Sequence, residues 1–204
     1  MLNGRTVRQL GTRAIWGVDN IKVNGQAIPK PFERIYLMLN KPFGYISTLD
    51  DPEGRPIVTE LLKDMNQRVY PVGRLDFDTM GLLLLTNDGE WSYRLTHPRF
   101  HVPRTYKVTV EGAMDEKIMN SLRKGVQLQD GFSGLSKITL LQQDGRRTVI
   151  RMTITSGRSR LVRRLMEAVG CSVVQLLRTG FGSVELGNLK VGEYRHLEAD
   201  EVRR

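Results

Sequence analysis

The run Gly81-Leu82-Leu83-Leu84-Leu85-Thr86 constrains this chain more than any other stretch. Four consecutive leucines leave no alternate position for a water-facing side chain, so the segment reads as a β-strand buried on both faces. Strands rich in β-formers are also expected at Ile35 to Asn40 and Val69 to Gly73, and Arg104 to Glu111 (RTYKVTVE) alternates as a strand should. Ser136 to Gln142 and Thr148 to Thr155 read as a hairpin around Asp144-Gly145. Short strands follow at Ser172 to Arg178, near Val184, and at Tyr194 to Leu197.

Three helices are expected among them. Glu90 to Leu95 is short, and Asp115 to Lys124 has an acidic first turn that suits the helix dipole. Ser159 to Val169 places Leu161, Val162, Leu165, Met166 and Val169 on one apolar face, with Gly170 positioned to end it. Strands and helices in mixed order, with several hairpin signals, indicate the α+β class: a mixed, largely antiparallel sheet with flanking helices.

Residues 1 to 30 differ. Two Asn-Gly pairs, Asn3-Gly4 and Asn24-Gly25, lie between extended residues, which predicts two short hairpins too small to hold a core. Pro29-Lys30-Pro31 reads as a linker. Two parts are therefore expected, 1–30 and 32–204.

Charge narrows the partners. Thirty-one Lys and Arg against 22 Asp and Glu give a net charge of +9, a field that attracts polyanions, with nucleic acid as the usual one. No apolar run reaches the roughly 20 residues that span a bilayer, and Arg5, Arg8 and Arg13 break up any signal-like start. One cysteine, Cys171, excludes an intramolecular disulfide. A cytoplasmic monomer that binds no membrane is expected.

Familiar chemistry is missing. There is no phosphate-cradling GxxxxGK[ST] loop and no GxGxxG, and three histidines with one cysteine lack metal-site spacing. No metal or cofactor is expected. Attention falls on Pro71 to Glu90, PVGRLDFDTMGLLLLTNDGE, where a polar loop carrying Arg74, Asp76, Asp78 and Thr79 leaves one strand and enters another. By spacing alone, either aspartate can simply be a turn residue bonding backbone amides.

Four ordered blocks carry a resemblance. They are Leu39 to Gly44 (LNKPFG), Gly73 to Asp76 (GRLD) followed by DTMGLLLLTNDG, Arg104 to Val108 (RTYKV), and Gly157 to Leu165 (GRSRLVRRL). Together they resemble the RsuA-type ribosomal RNA pseudouridine synthases. That resemblance implies the pseudouridine synthase fold and site-specific isomerisation of uridine in ribosomal RNA. It implies Asp76 as the catalytic carboxylate, with Asp78 as its rival, Tyr106 as the active-site tyrosine, and Arg163 as the cation pairing Asp76. It further implies substrate contacts from Arg74, Val162, Lys41, Thr79, Arg160 and Arg164. Leu161 stands where relatives often carry Gln. The resemblance further implies that residues 1–30 are a truncated, β-rich remnant of a small RNA-binding module of the ribosomal-protein type, without its two helices. The helix block and Gly192-Glu193-Tyr194 are similar to large-subunit enzymes, while Trp91-Ser92 and His97-Pro98-Arg99 are similar to small-subunit ones. A catalytically silent RNA-binding assembly factor is the alternative from another class.

Overall fold

The structure, a computed structural model, describes residues 1–28, 33–63, 65–135 and 137–203. The linker read at Pro29-Lys30-Pro31 lies outside the described residues. The chain divides into two units, Met1–Arg34 and Ile35–Arg204.

In the first unit, β1 (Lys22–Val23) and β2 (Gln26–Ala27) form one hairpin. Asn24 and Gly25 both take positive φ, as a two-residue turn matching strand twist requires. The second expected hairpin is reduced to isolated bridges from Leu2 to Arg5 and Ile21. Leu10, Ile15, Trp16 and Val18 stay exposed, so this unit holds no core of its own.

The second unit contains β3 (Tyr36–Lys41), β4 (Tyr70–Pro71), β5 (Met80–Thr86), α1 (Gly89–Thr96), β6 (Arg104–Glu111), α2 (Glu116–Lys124), β7 (Val126–Leu128) and β8 (Gly131–Ser133). It continues with β9 (Lys137–Gln143), β10 (Arg147–Ile154), α3 (Leu161–Ala168), β11 (Val173–Phe181), β12 (Val184–Glu185), β13 (Tyr194–His196) and α4 (Ala199–Arg203). The main sheet runs β13-β3-β5-β11-β6-β10-β9, with β4 beside β5 and β12 beside β11. Among the described residues, the β5–β11 pairing is parallel and the other ladders of this sheet are antiparallel. The mixed, largely antiparallel α+β architecture is thus as the sequence indicates. Not foreseen were the small β7–β8 hairpin and α4.

The leucine run behaves as its pattern demands. Leu83 and Leu85 enter one core cluster, with Tyr106, Val108, Ile150 and the apolar face of α3. Leu82 and Leu84 enter a second, with Met38, Phe181 and Val184, and Trp91 and Leu95 of α1 pack against it. All four leucines are fully buried, each worth about 1.5–3 kcal/mol of burial. No helix among the described residues is long and apolar enough to cross a membrane. The layout also places the β4–β5 connection, carrying Asp76, against the N-terminus of α3 and the face of β6 and β11.

Candidate active site

Backbone clamps fix the loop between β4 and β5. The Ser47 hydroxyl accepts from Leu75 N at 3.1 Å and donates to Leu75 O at 3.0 Å, gripping the residue before Asp76 on both sides. Gly44 N donates to Phe77 O at 3.0 Å, and Thr79 N donates to Asp76 O at 3.0 Å. The Lys41 ammonium donates to the carbonyls of Asp76 (3.1 Å), Thr79 (2.8 Å) and Pro42 (3.1 Å). The LNKPFG segment is thus the mount of the aspartate loop. Lys41, expected to contact substrate, has its side chain completely buried here and donates to these three backbone carbonyls.

Burial pulls the Lys41 pKa down to about 8, with Asp76 and Asp78 working the other way. Between pH 8 and the ordinary lysine value of 10.5 the unfolded chain therefore binds more protons than the folded one. Stability from this group rises with pH across that window, by on the order of 3 kcal/mol. Urea unfolding is expected to show wild type gaining on Lys41→Met between pH 8 and 10; a difference flat with pH contradicts this.

Asp76 and Asp78 face different environments. The Asp76 carboxylate is about a third exposed (37%) and lines a cleft of about 260 Å³. Its nearest cation is Arg160, with Nη1 3.9 Å from Oδ2. Asp78 is bound more tightly: Arg160 approaches its two oxygens at 3.3 and 3.4 Å, and Arg163 Nη2 lies 3.2 Å from Oδ2. Arg163 Nη2 also donates to Asp78 O at 2.9 Å. The expected pairing of Arg163 with Asp76 is corrected accordingly: Arg163 holds Asp78 and the loop backbone. One turn of helix explains it. Arg160 sits just before α3 with φ +50°, a left-handed conformation uncommon outside glycine, and this swings its guanidinium over the loop.

Tyr106 projects from β6 into the same cleft, largely buried, between Arg178 on β11 and Met152 on β10 in register. Val162 and Thr79 also line it, both nearly fully buried, and Arg74 stands exposed at its rim. Arg164 does not join them. Its guanidinium, expected to contact substrate, is tied to Asp130 at 2.8 and 3.0 Å and to Ser159 O at 3.0 Å.

The sequence reading missed Arg178. It is only 2% exposed, donates from Nε to Leu82 O at 2.7 Å, and leaves Nη2 without an acceptor among the described residues. Burial pushes its guanidinium below the ordinary arginine range, and the neighbouring Tyr106 hydroxyl opposes that. Arg104 and Arg178 both lie against the Phe181 ring, at 4.8 and 4.9 Å. One signal existed: a cation interrupting the apolar strand VVQLLRTGF at an inward position. Among the described residues, no group of three or more His, Cys, Asp or Glu gathers as metal ligands would. The cleft thus joins one accessible carboxylate, one tyrosine, several guanidiniums and apolar walls, enough to hold a flat polar ring and act on it with a nucleophile.

Comparison with known proteins gives a consistent picture. The family model described as RNA pseudouridylate synthase matches residues 35–168. The chain is 40% identical over 205 residues to the ribosomal large subunit pseudouridine synthase B of Bacillus subtilis, covering 100% of this chain and 83% of that protein. It is 36% identical over 202 residues to the ribosomal small subunit pseudouridine synthase A of Escherichia coli, covering 98% and 86%. A crystal structure of a pseudouridylate synthase superposes with a TM-score of 0.74 at 33% identity, covering 100% of this chain and 86% of that one.

Proposed function

This chain belongs to the RsuA-type RNA pseudouridylate synthases and is an isomerase acting on RNA, and from that premise we propose that it converts a specific uridine of large-subunit ribosomal RNA to pseudouridine, with Asp76 as nucleophile. The observation that carries the assignment of Asp76 is its place: the more accessible of two aspartates, in one cleft with Tyr106.

The reaction needs no outside reagent. The C1′–N1 bond breaks, the uracil turns, C1′ bonds to C5, and the C5 hydrogen leaves as a proton while N1 gains one. An ionised carboxylate at Asp76 serves the detachment, with the Arg160 guanidinium 3.9 Å from Oδ2. Tyr106, which shares the cleft with Asp76, is assigned the proton movement at C5 on this reading. A stacked uridine cannot enter a cleft of this size, so the nucleotide is extruded, with Val162 against the base and Arg74 at the rim where the stack is opened. Arg163 acts through the loop, holding Asp78 and its backbone.

The higher identity to the large-subunit enzyme supports the choice of RNA, as do the helix block and the Gly192-Glu193-Tyr194 segment. Mapping pseudouridines in ribosomal RNA from cells with and without the gene tests it. One large-subunit pseudouridine is expected to vanish and to return with the wild-type gene. Loss from small-subunit RNA instead moves the substrate, and an unchanged map overturns the assignment.

A further inference from the structure

The sheet is unevenly covered. On the face carrying Leu82 and Leu84, the β3–β5 half is sealed by α1 and its neighbours. Among the described residues of this unit, no helix packs on that face of the half formed by β6, β10 and β9. Thr105, Lys107, Arg151, Thr153 and Lys137 point outward there, alternating with the buried Tyr106, Met152 and Ile138. Along with Thr179, they line a groove of about 520 Å³, twice the volume of the active-site cleft and on the other side of the sheet from Tyr106.

Its chemistry is one-sided. Lys107 and Arg151 are directly opposed in the β6–β10 register, an arrangement of like charges that costs stability in the free protein. Lys137 faces Thr153 from the next strand. Among the described residues none of these three cations forms an ion pair or side-chain hydrogen bond, and Glu185 is the one acid lining the groove. Some arginines elsewhere are paired, Arg55 with Asp51, Arg94 with Glu90 and Arg195 with Glu201, while others such as Arg68 and Arg147 form no ion pair among the described residues; what sets the groove apart is three cations gathered on adjacent strands. The hydroxyls of Thr105 and Thr153 meet at 3.1 Å, adding donors of the kind that contact phosphate.

We propose that this bare half-sheet is a second RNA site, binding the sugar–phosphate backbone of the substrate RNA at a segment remote from the target uridine. The inference rests on the chain acting on RNA, not on which RNA. The occupant follows from charge complementarity: repeated anions satisfy three unpaired cations at once, and release counterions as they do. Because a sheet separates groove from cleft, a short stem-loop seated at Asp76 does not reach it, whereas a long folded RNA does.

The test compares wild type with Lys107→Gln/Lys137→Gln/Arg151→Gln on two RNAs, a full-length large-subunit transcript and the shortest stem-loop that wild type modifies. For the long RNA, Kd is expected to rise about tenfold or more, and the slope of log Kd against log salt to fall by about 2–3. On the stem-loop, kcat/KM is expected to change less than twofold. The thermal midpoint is expected to hold or rise, since like-charge opposition is relieved. Unchanged affinity and slope on the long RNA overturn the proposal, as does an equal loss on both RNAs. A variant that melts early is replaced by Lys107→Gln/Lys137→Gln, for which about two thirds of the slope change is required. Wild type modifying no ribosomal transcript is a separate result, and counts against the ribosomal reading while the direct affinity comparison still decides this one.

Discussion

Asp76→Asn is expected to lower pseudouridine formation by at least about 10⁴-fold, while leaving the fold intact. Asparagine matches aspartate in shape but is neither nucleophile nor anion. The loop is held through backbone atoms and through Ser47 and Lys41, none of which involves the Asp76 carboxylate. The side chain is also partly exposed, and the ion pair it forms among the described residues is a 3.9 Å approach to Arg160, so little stability is at stake. Asp78→Asn gives the contrast. That carboxylate is held by both Arg160 and Arg163, and its neutralisation loosens the loop, with a fall in activity of about 10–100-fold. Single-turnover assays with both variants, beside melting curves, check the pair. An active Asp76→Asn with an inactive Asp78→Asn exchanges the roles of the two aspartates.

Gly81→Ala is expected to have the largest effect on folding. Gly81 is the second residue of β5, at φ +100°, where a side chain is strained whatever the space. A Cβ there would lie 2.3 Å from Arg178 O and 2.9 Å from Arg178 N, both backbone, and 2.8 Å from the Leu177 side chain. Neither backbone yields without parting β5 from β11, the parallel junction that joins the two halves of the sheet. The cost is about 4 kcal/mol or more, enough to unfold many domains of this size. Because Arg178 faces Tyr106 in register, a chain that does fold carries a displaced active-site floor. Gly112→Ala is the control: positive φ of +75° but open space around it, and about 1 kcal/mol expected. Urea midpoints separate them, and equal midpoints would remove the steric argument.

Much of this was legible in sequence. The GLLLLT run was readable because burial on both faces abolishes alternation, and α3 because Leu161, Val162, Leu165 and Met166 repeat at helical spacing, with Val169 at its C-terminal cap. The β9–β10 hairpin followed from Asp144-Gly145. The β7–β8 hairpin was not legible, its strands being three residues each and too short to show a period. In the site, the blocks named the residues but not their partners. The resemblance gives Lys41 a substrate contact, whereas the fold buries it under the aspartate loop. Whether Arg160 or Arg163 meets Asp76 turns on the positive φ at Arg160, which no pattern announces. Arg178 was hidden because a charge in a strand ordinarily points outward, and here it is committed to Leu82 O in the sheet interior.

Tritium release tests the central claim most directly. Full-length ribosomal RNA transcripts labelled at C5 of uridine are incubated with wild type and Asp76→Asn, since bonding C1′ to C5 expels that hydrogen to solvent. Wild type should release tritium from the large-subunit transcript to about one equivalent per molecule, and Asp76→Asn should release none above background. Release by Asp76→Asn at the wild-type rate would contradict the account.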